Sequence, residues 1–149
     1  MSIYLNDKYR VKRNAKFESQ MRFLQDELKI FSDYASILTV SAVIGYNNDL
    51  FAPVTTPASD RVQIQFFNPR MKDVIDLLAY AHEKKQSILS EDDKYGIFEG
   101  YANGGFPVLV DKLGVNFDDP TKNDRWNILQ NYFRLLLLNG FILDNGTNN

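Results

Sequence analysis

Cysteine is absent from the 149 residues, and histidine occurs once, at position 82. The first absence excludes disulfides and thiolate ligands and suits a reducing, cytoplasmic setting. The two together exclude the usual zinc sites, which draw on several Cys or His side chains. A Ser–His–Asp triad would have to use His82, and the chain has no G-x-S-x-G turn to present a nucleophile. His82 stands beside Glu83 at the polar end of a predicted helix and reads as a surface residue, not a catalyst. Long apolar runs are missing too: the leucines at 135–138 are far too few to cross a bilayer. The opening MSIYLNDKYRVKR puts charges where a signal peptide needs an apolar core. These absences point to a soluble cytoplasmic protein with no metal, no cofactor and no membrane contact.

What is present is enough for a core. A hydrophobic content of 44% and an aromatic content of 13% over this length predict one packed domain across 1–149. Net charge is −2 but unevenly spread. Residues 1–22 hold Lys8, Arg10, Lys12, Arg13, Lys16 and Arg22 against Asp7 and Glu18, a net of +4, which leaves −6 for the rest. A basic arm on an acidic body is an anion-binding edge, a self-association element or solvated surface charge.

Along the chain, Tyr9 and Val11 alternate with Lys8, Arg10 and Lys12, a strand-like pattern over Lys8–Arg13. Phe17, Met21, Leu24 and Leu28 predict an amphipathic helix over Ala15–Lys29. Ser32-Asp33 caps a second, nearly all-apolar helix that stops at Gly45, so residues 1–46 form a basic strand and a helical hairpin. Residues 47–60, with two prolines, are a loop. Residues 61–139 then carry a half-buried strand (Val62, Ile64 and Phe66 against Gln63 and Gln65) and further helices, five or six in all with the first two. Asn68-Pro69 opens the first of these, Ser90 with its acidic neighbours the second, and Thr121–Asn139 is the last. Residues 140–149 read as a frayed tail. The expected fold is mainly α, with a small β element and an N-terminal part resembling ribbon-helix-helix.

The stretch IFEGYANGGFPVLVDKLG, 97–114, raises its own question. Tyr95, Phe98, Tyr101 and Ala102 share one helical face, and Asn103-Gly104-Gly105 with Pro107 reads as a tight helix–helix corner, with Gly104 at positive φ. The rival is a glycine nest for phosphate, but no Lys-Ser/Thr follows it and no strand precedes it.

Three segments, FSDYASILTVSAVIGYNNDLFAPV, MKDVIDLLAYAHEK and IFEGYANGGFPVLVDKL, resemble the small Dnd-system-associated protein family. Its members are encoded beside bacterial DNA phosphorothioate modification and restriction genes. The likeness runs from Arg10 to Leu113. It implies a place in phage defence or DNA metabolism, with other proteins of the modification and restriction system as partners, and it carries over no catalytic residues.

Two constellations remain. Glu83-Lys84-Lys85 with Asp73 or Asp76 satisfies half of a nuclease pattern, yet such a site needs carboxylates converging on Mg²⁺ from neighbouring strands, and this segment reads as helix. The basic arm is the better candidate, with Arg10, Lys12, Arg13 and Lys16 as its DNA-binding residues. In a ribbon-helix-helix protein two chains pair such strands, making a homodimer whose ribbon enters the major groove. The alternative is an edge strand paired with Arg61–Phe67 of the same chain. The expected function is a non-enzymatic accessory protein that binds DNA through this arm; a protein–protein adaptor with no DNA contact is the alternative.

Overall fold

The computed structural model describes residues 4–141. The chain is mainly α with one two-stranded antiparallel sheet. In order come β1 (Arg10–Val11), α1 (Glu18–Arg22), α2 (Tyr34–Asn47), β2 (Val62–Gln63), α3 (Pro69–Glu83), α4 (Asp93–Leu113) and α5 (Arg125–Leu138). Short 3-10 turns precede α1 and follow β2, and a π-helical turn, Phe23–Glu27, follows α1.

Local chemistry explains most boundaries. The Asp33 carboxylate accepts from the Ser36 N–H and starts α2. Asn68 accepts from the Met71 N–H, and Pro69 occupies the first turn of α3, where a missing N–H costs nothing. The fourth helix starts later than Ser90, which ends a 3-10 turn; Asp92 takes the cap position. The last helix also starts later, at Arg125, with the Asp124 carboxylate accepting from the Trp126 N–H. The tail beyond Phe141 lies outside the described residues.

The core sits where α2 crosses α4, with α3 and α5 packed on α4. Ala35, Ile37, Leu38, Ala42 and Ile44 of α2 meet Phe98, Ala102, Phe106 and Leu109 of α4 in one cluster. The predicted corner at Asn103, Gly104 and Gly105 does not exist. Helix α4 runs through all three without a break, and among the described residues only Gly114 and Gly140 are glycines at positive φ. The glycines are there for close approach. A Cβ on Gly105 would lie 1.9 Å from the Ser41 carbonyl oxygen of α2, and one on Gly45 would lie 2.1 Å from that of Tyr101. Gly104 makes room for the Leu50 backbone, and the Asn103 amide donates to the Ala52 carbonyl (2.7 Å), so the 47–60 loop lies along the same seam. Pro107 removes one helical hydrogen bond on the exposed side of α4, and packing on the buried side holds the helix together across it.

Of the two alternatives for the first strand, the protein has the second. β1 pairs with β2 of the same chain, Arg10 opposite Gln63 and Val11 opposite Val62. The pairing continues as an Asn14–Pro57 bridge and an Ala58 N–H to Arg13 carbonyl bond. The β1 edge turned from β2 meets α4, where the Lys12 N–H donates to Glu99 Oε2 at 2.7 Å. The ribbon-helix-helix arrangement, which needs that strand free for a second chain, is therefore replaced by an intrachain ribbon.

Candidate nucleic-acid interface

Strand alternation sorts the basic arm into two sets. Tyr9, Val11 and Arg13 turn inward. Tyr9 stacks on Tyr95 of α4, ring centroids 4.3 Å apart, and donates its hydroxyl to Glu99 Oε2 at 3.0 Å. Val11 is fully buried. Arg13 is 1% exposed, ion-paired with Glu18, 3.7 Å from Asp60 and stacked over the Tyr34 ring at 4.2 Å. Arg13 is thus a buried structural cation and cannot reach a phosphate, a correction to its place among the candidate DNA contacts. Its parity with Val11 was the signal.

Arg10 and Lys12 turn outward, Arg10 exposed and Lys12 half-buried. Past the last pair, Val11 with Val62, Lys12 and the exposed Arg61 come next on the two facing segments, and the charges of both act on Glu99. One outward face therefore gathers Arg10, Lys12 and Arg61 around Gln63. Lys16 is exposed but lies past the strand, in the 3-10 turn capped by the Asn14 side chain. In the sequence Arg61 only opens the segment whose Val62, Ile64 and Phe66 alternate; it joins the basic face through the pairing of β1 with β2.

Like charges opposite each other on a ribbon destabilise it, and here a buried carboxylate lies beneath them. Glu99 is 5% exposed. Burial pushes its carboxyl above the usual range, while the Lys12 N–H, the Tyr9 hydroxyl and the charges of Lys12 and Arg61 pull the other way. Burial and the Glu99 carboxylate likewise raise the Tyr9 phenol.

The remaining sequence candidates lie elsewhere. Asp76 does not converge with Glu83; it pairs at 2.8 Å with Lys94, which is buried at the start of α4 and also donates to the carbonyls of Leu89 (3.2 Å) and Tyr4. Among the described residues, no three acidic or histidine side chains gather as a metal site. His82 shares a 2.7 Å hydrogen bond with the Tyr101 hydroxyl and stacks on Phe51. No helix is long and apolar enough to cross a membrane, among the described residues.

A family model, that of DNA sulphur modification system-associated protein 4, matches residues 10–133. The chain belongs to this family. Membership ties it to the DNA sulphur modification system and supports an accessory role there, with the system's other proteins as its natural partners. The match starts at Arg10 itself and passes the end of the sequence resemblance at Leu113, taking in Trp126 and most of α5. No curated protein and no solved structure matches the chain.

Proposed function

We propose that this chain is a non-enzymatic accessory protein of a DNA sulphur modification system, one domain that holds DNA phosphates on the outward face of its β1–β2 ribbon. One observation carries the reading: two segments far apart in sequence bring Arg10, Lys12 and Arg61 to a single outward face. An anion seated there relieves the mutual repulsion of Lys12 and Arg61, and the buried inward face keeps the ribbon from moving. Lys16 extends the positive edge. Such contacts position a protein on DNA without reading its sequence. The test is a titration of labelled duplex DNA at low salt with wild type and the Arg10→Ala/Lys12→Ala/Arg61→Ala variant. Wild type binds and the variant loses most of its affinity; equal affinities overturn the reading.

A second reading has its own support. On α5, Trp126 (66% exposed), Phe133 and Leu137 (64%) fall at helical spacing on one face, an apolar stripe of the kind that marks protein contacts. In this reading the chain is an adaptor between proteins of the same system, or between copies of itself in a homodimer. Absence of any DNA binding at low salt favours it.

A further inference from the structure

Arg61 ends the basic face and also lines a cavity of about 210 Å³ with Gln25, Asp33, Tyr34, Asp60 and Phe66. We propose that this cavity holds one unpaired DNA base whose flanking phosphates lie on Arg61 and its neighbours, an inference that rests on the ribbon's being the DNA face.

The argument starts from Phe66. Its neighbours Ile64 and Phe67 are buried at 0% and 1%, yet the 3-10 turn after β2 swings Phe66 outward to 56%. It stacks on no other ring among the described residues. A large flat apolar surface beside a cation, here Arg61, is what single-strand binders use, because every base has a face to stack and every nucleotide a phosphate to neutralise.

The polar groups of the cavity narrow the ligand further. Apart from Arg61 they are mostly acceptors. Asp33 uses one oxygen on the Ser36 N–H, and Asp60 lies near Arg13. Tyr34 is held flat under the Arg13 guanidinium. These carboxylates repel a phosphate and attract N–H donors. The ligand must therefore bring a planar face and a donor edge while its negative charge stays outside, which describes a nucleotide with its base turned in. A base within a duplex has its donors engaged and its faces stacked, so it does not qualify. The volume lies below the roughly 300–1,000 Å³ of pockets for drug-sized ligands and suits a single ring system. Among bases, guanine offers adjacent N1–H and N2–H donors, whereas thymine offers one N–H flanked by carbonyls that the carboxylates disfavour. An arginine from a partner protein also supplies donors, but it would be repelled by Arg61, Arg10 and Lys12.

The experiment compares three labelled probes by fluorescence anisotropy: oligo(dT), the same strand with one central guanine, and a duplex of equal length. Wild type should prefer the guanine-containing strand. Phe66→Ala should weaken that strand by about tenfold, the loss of one stacked base, and leave the duplex unchanged. Phe66→Tyr keeps the stacking surface and should restore affinity. Phe66 is exposed, so its truncation spares the core. If Phe66→Ala leaves single-strand binding intact while the Arg10→Ala/Lys12→Ala/Arg61→Ala variant lowers it, the base site is wrong and the ribbon reading stands. If wild type binds none of the three probes, both fall. Binding of an arginine-rich peptide that Phe66→Ala abolishes, with no DNA bound, also overturns the base site.

Discussion

The α2–α4 seam and the contact between the N-terminal arm and α4 cover the same helix by opposite means. At the seam, atoms are left out: Gly45 and Gly105 bring two backbones together, and the Cβ that would separate them has nowhere to go. Along the arm, polar atoms are put in and answered one by one. Glu99 meets Lys12 and Tyr9, and Lys94 meets the Tyr4 carbonyl of the arm together with Asp76 of α3 and the Leu89 carbonyl. A seam of the first kind is sensitive to volume and indifferent to pH or salt. A contact of the second kind tolerates small changes in shape but fails when a charge loses its partner.

The largest expected effect lies on the polar side. Lys94→Ala leaves Asp76 buried without its cation and should cost about 3–5 kcal/mol in chemical denaturation. Asp76→Asn/Lys94→Met should recover much of that loss, because a buried pair is more costly to break than to replace. If the single variant costs no more than an ordinary surface change, the Lys94 cluster, which ties α4 to α3 and to Tyr4 of the arm, is not held by charge.

Next comes the seam. Gly105→Ala should cost about 3 kcal/mol, because its Cβ meets the Ser41 and Gly45 backbones, which belong to a packed helix and cannot step aside. Gly96→Ala is the control: nothing lies within 4 Å of its Cβ, and alanine should stabilise α4 by about 0.5–1 kcal/mol. A similar loss at both positions would mean that the glycines serve backbone conformation after all.

That pair of variants also marks where the sequence stopped being readable. Asp33, Asn68-Pro69 and the alternation around Val11 are local signals, and α2, α3 and the inward side of β1 follow from them. Asn103-Gly104-Gly105 carries the same local signals as a helix end. What decides between an end and a seam is Ser41 and Gly45, residues of another helix, which no local pattern exposes. The candidate site divides the same way. Strand parity alone sends Arg10 and Lys12 outward and turns Arg13 inward with Val11, where it is buried. Arg61 and Phe66 join the face only through the pairing of β1 with β2 and the turn that follows it.

A smaller effect separates the two regions by pH. Burial raises Glu99, so the folded state holds its proton more tightly than the unfolded chain does. The sign follows from linkage: this group lowers stability above its raised native pKa, and the penalty disappears as the pH falls through that value toward the ordinary glutamate range. Glu99→Gln keeps an acceptor for the Tyr9 hydroxyl and the Lys12 N–H. The stability of wild type relative to Glu99→Gln should therefore rise on acidification, and a difference that is flat with pH would contradict the buried-carboxylate account. Gly96→Ala, compared with wild type in the same way, should show no such trend.

The most direct test of the account is the salt dependence of DNA binding, measured for wild type and for Arg10→Ala/Lys12→Ala/Arg61→Ala on the same B-form duplex. Each phosphate contact removed should lower the log–log slope by about 0.9, so loss of all three flattens it by about 2.7. Parallel lines for the two proteins would contradict phosphate binding on the ribbon face and leave the apolar stripe of α5 as the working surface.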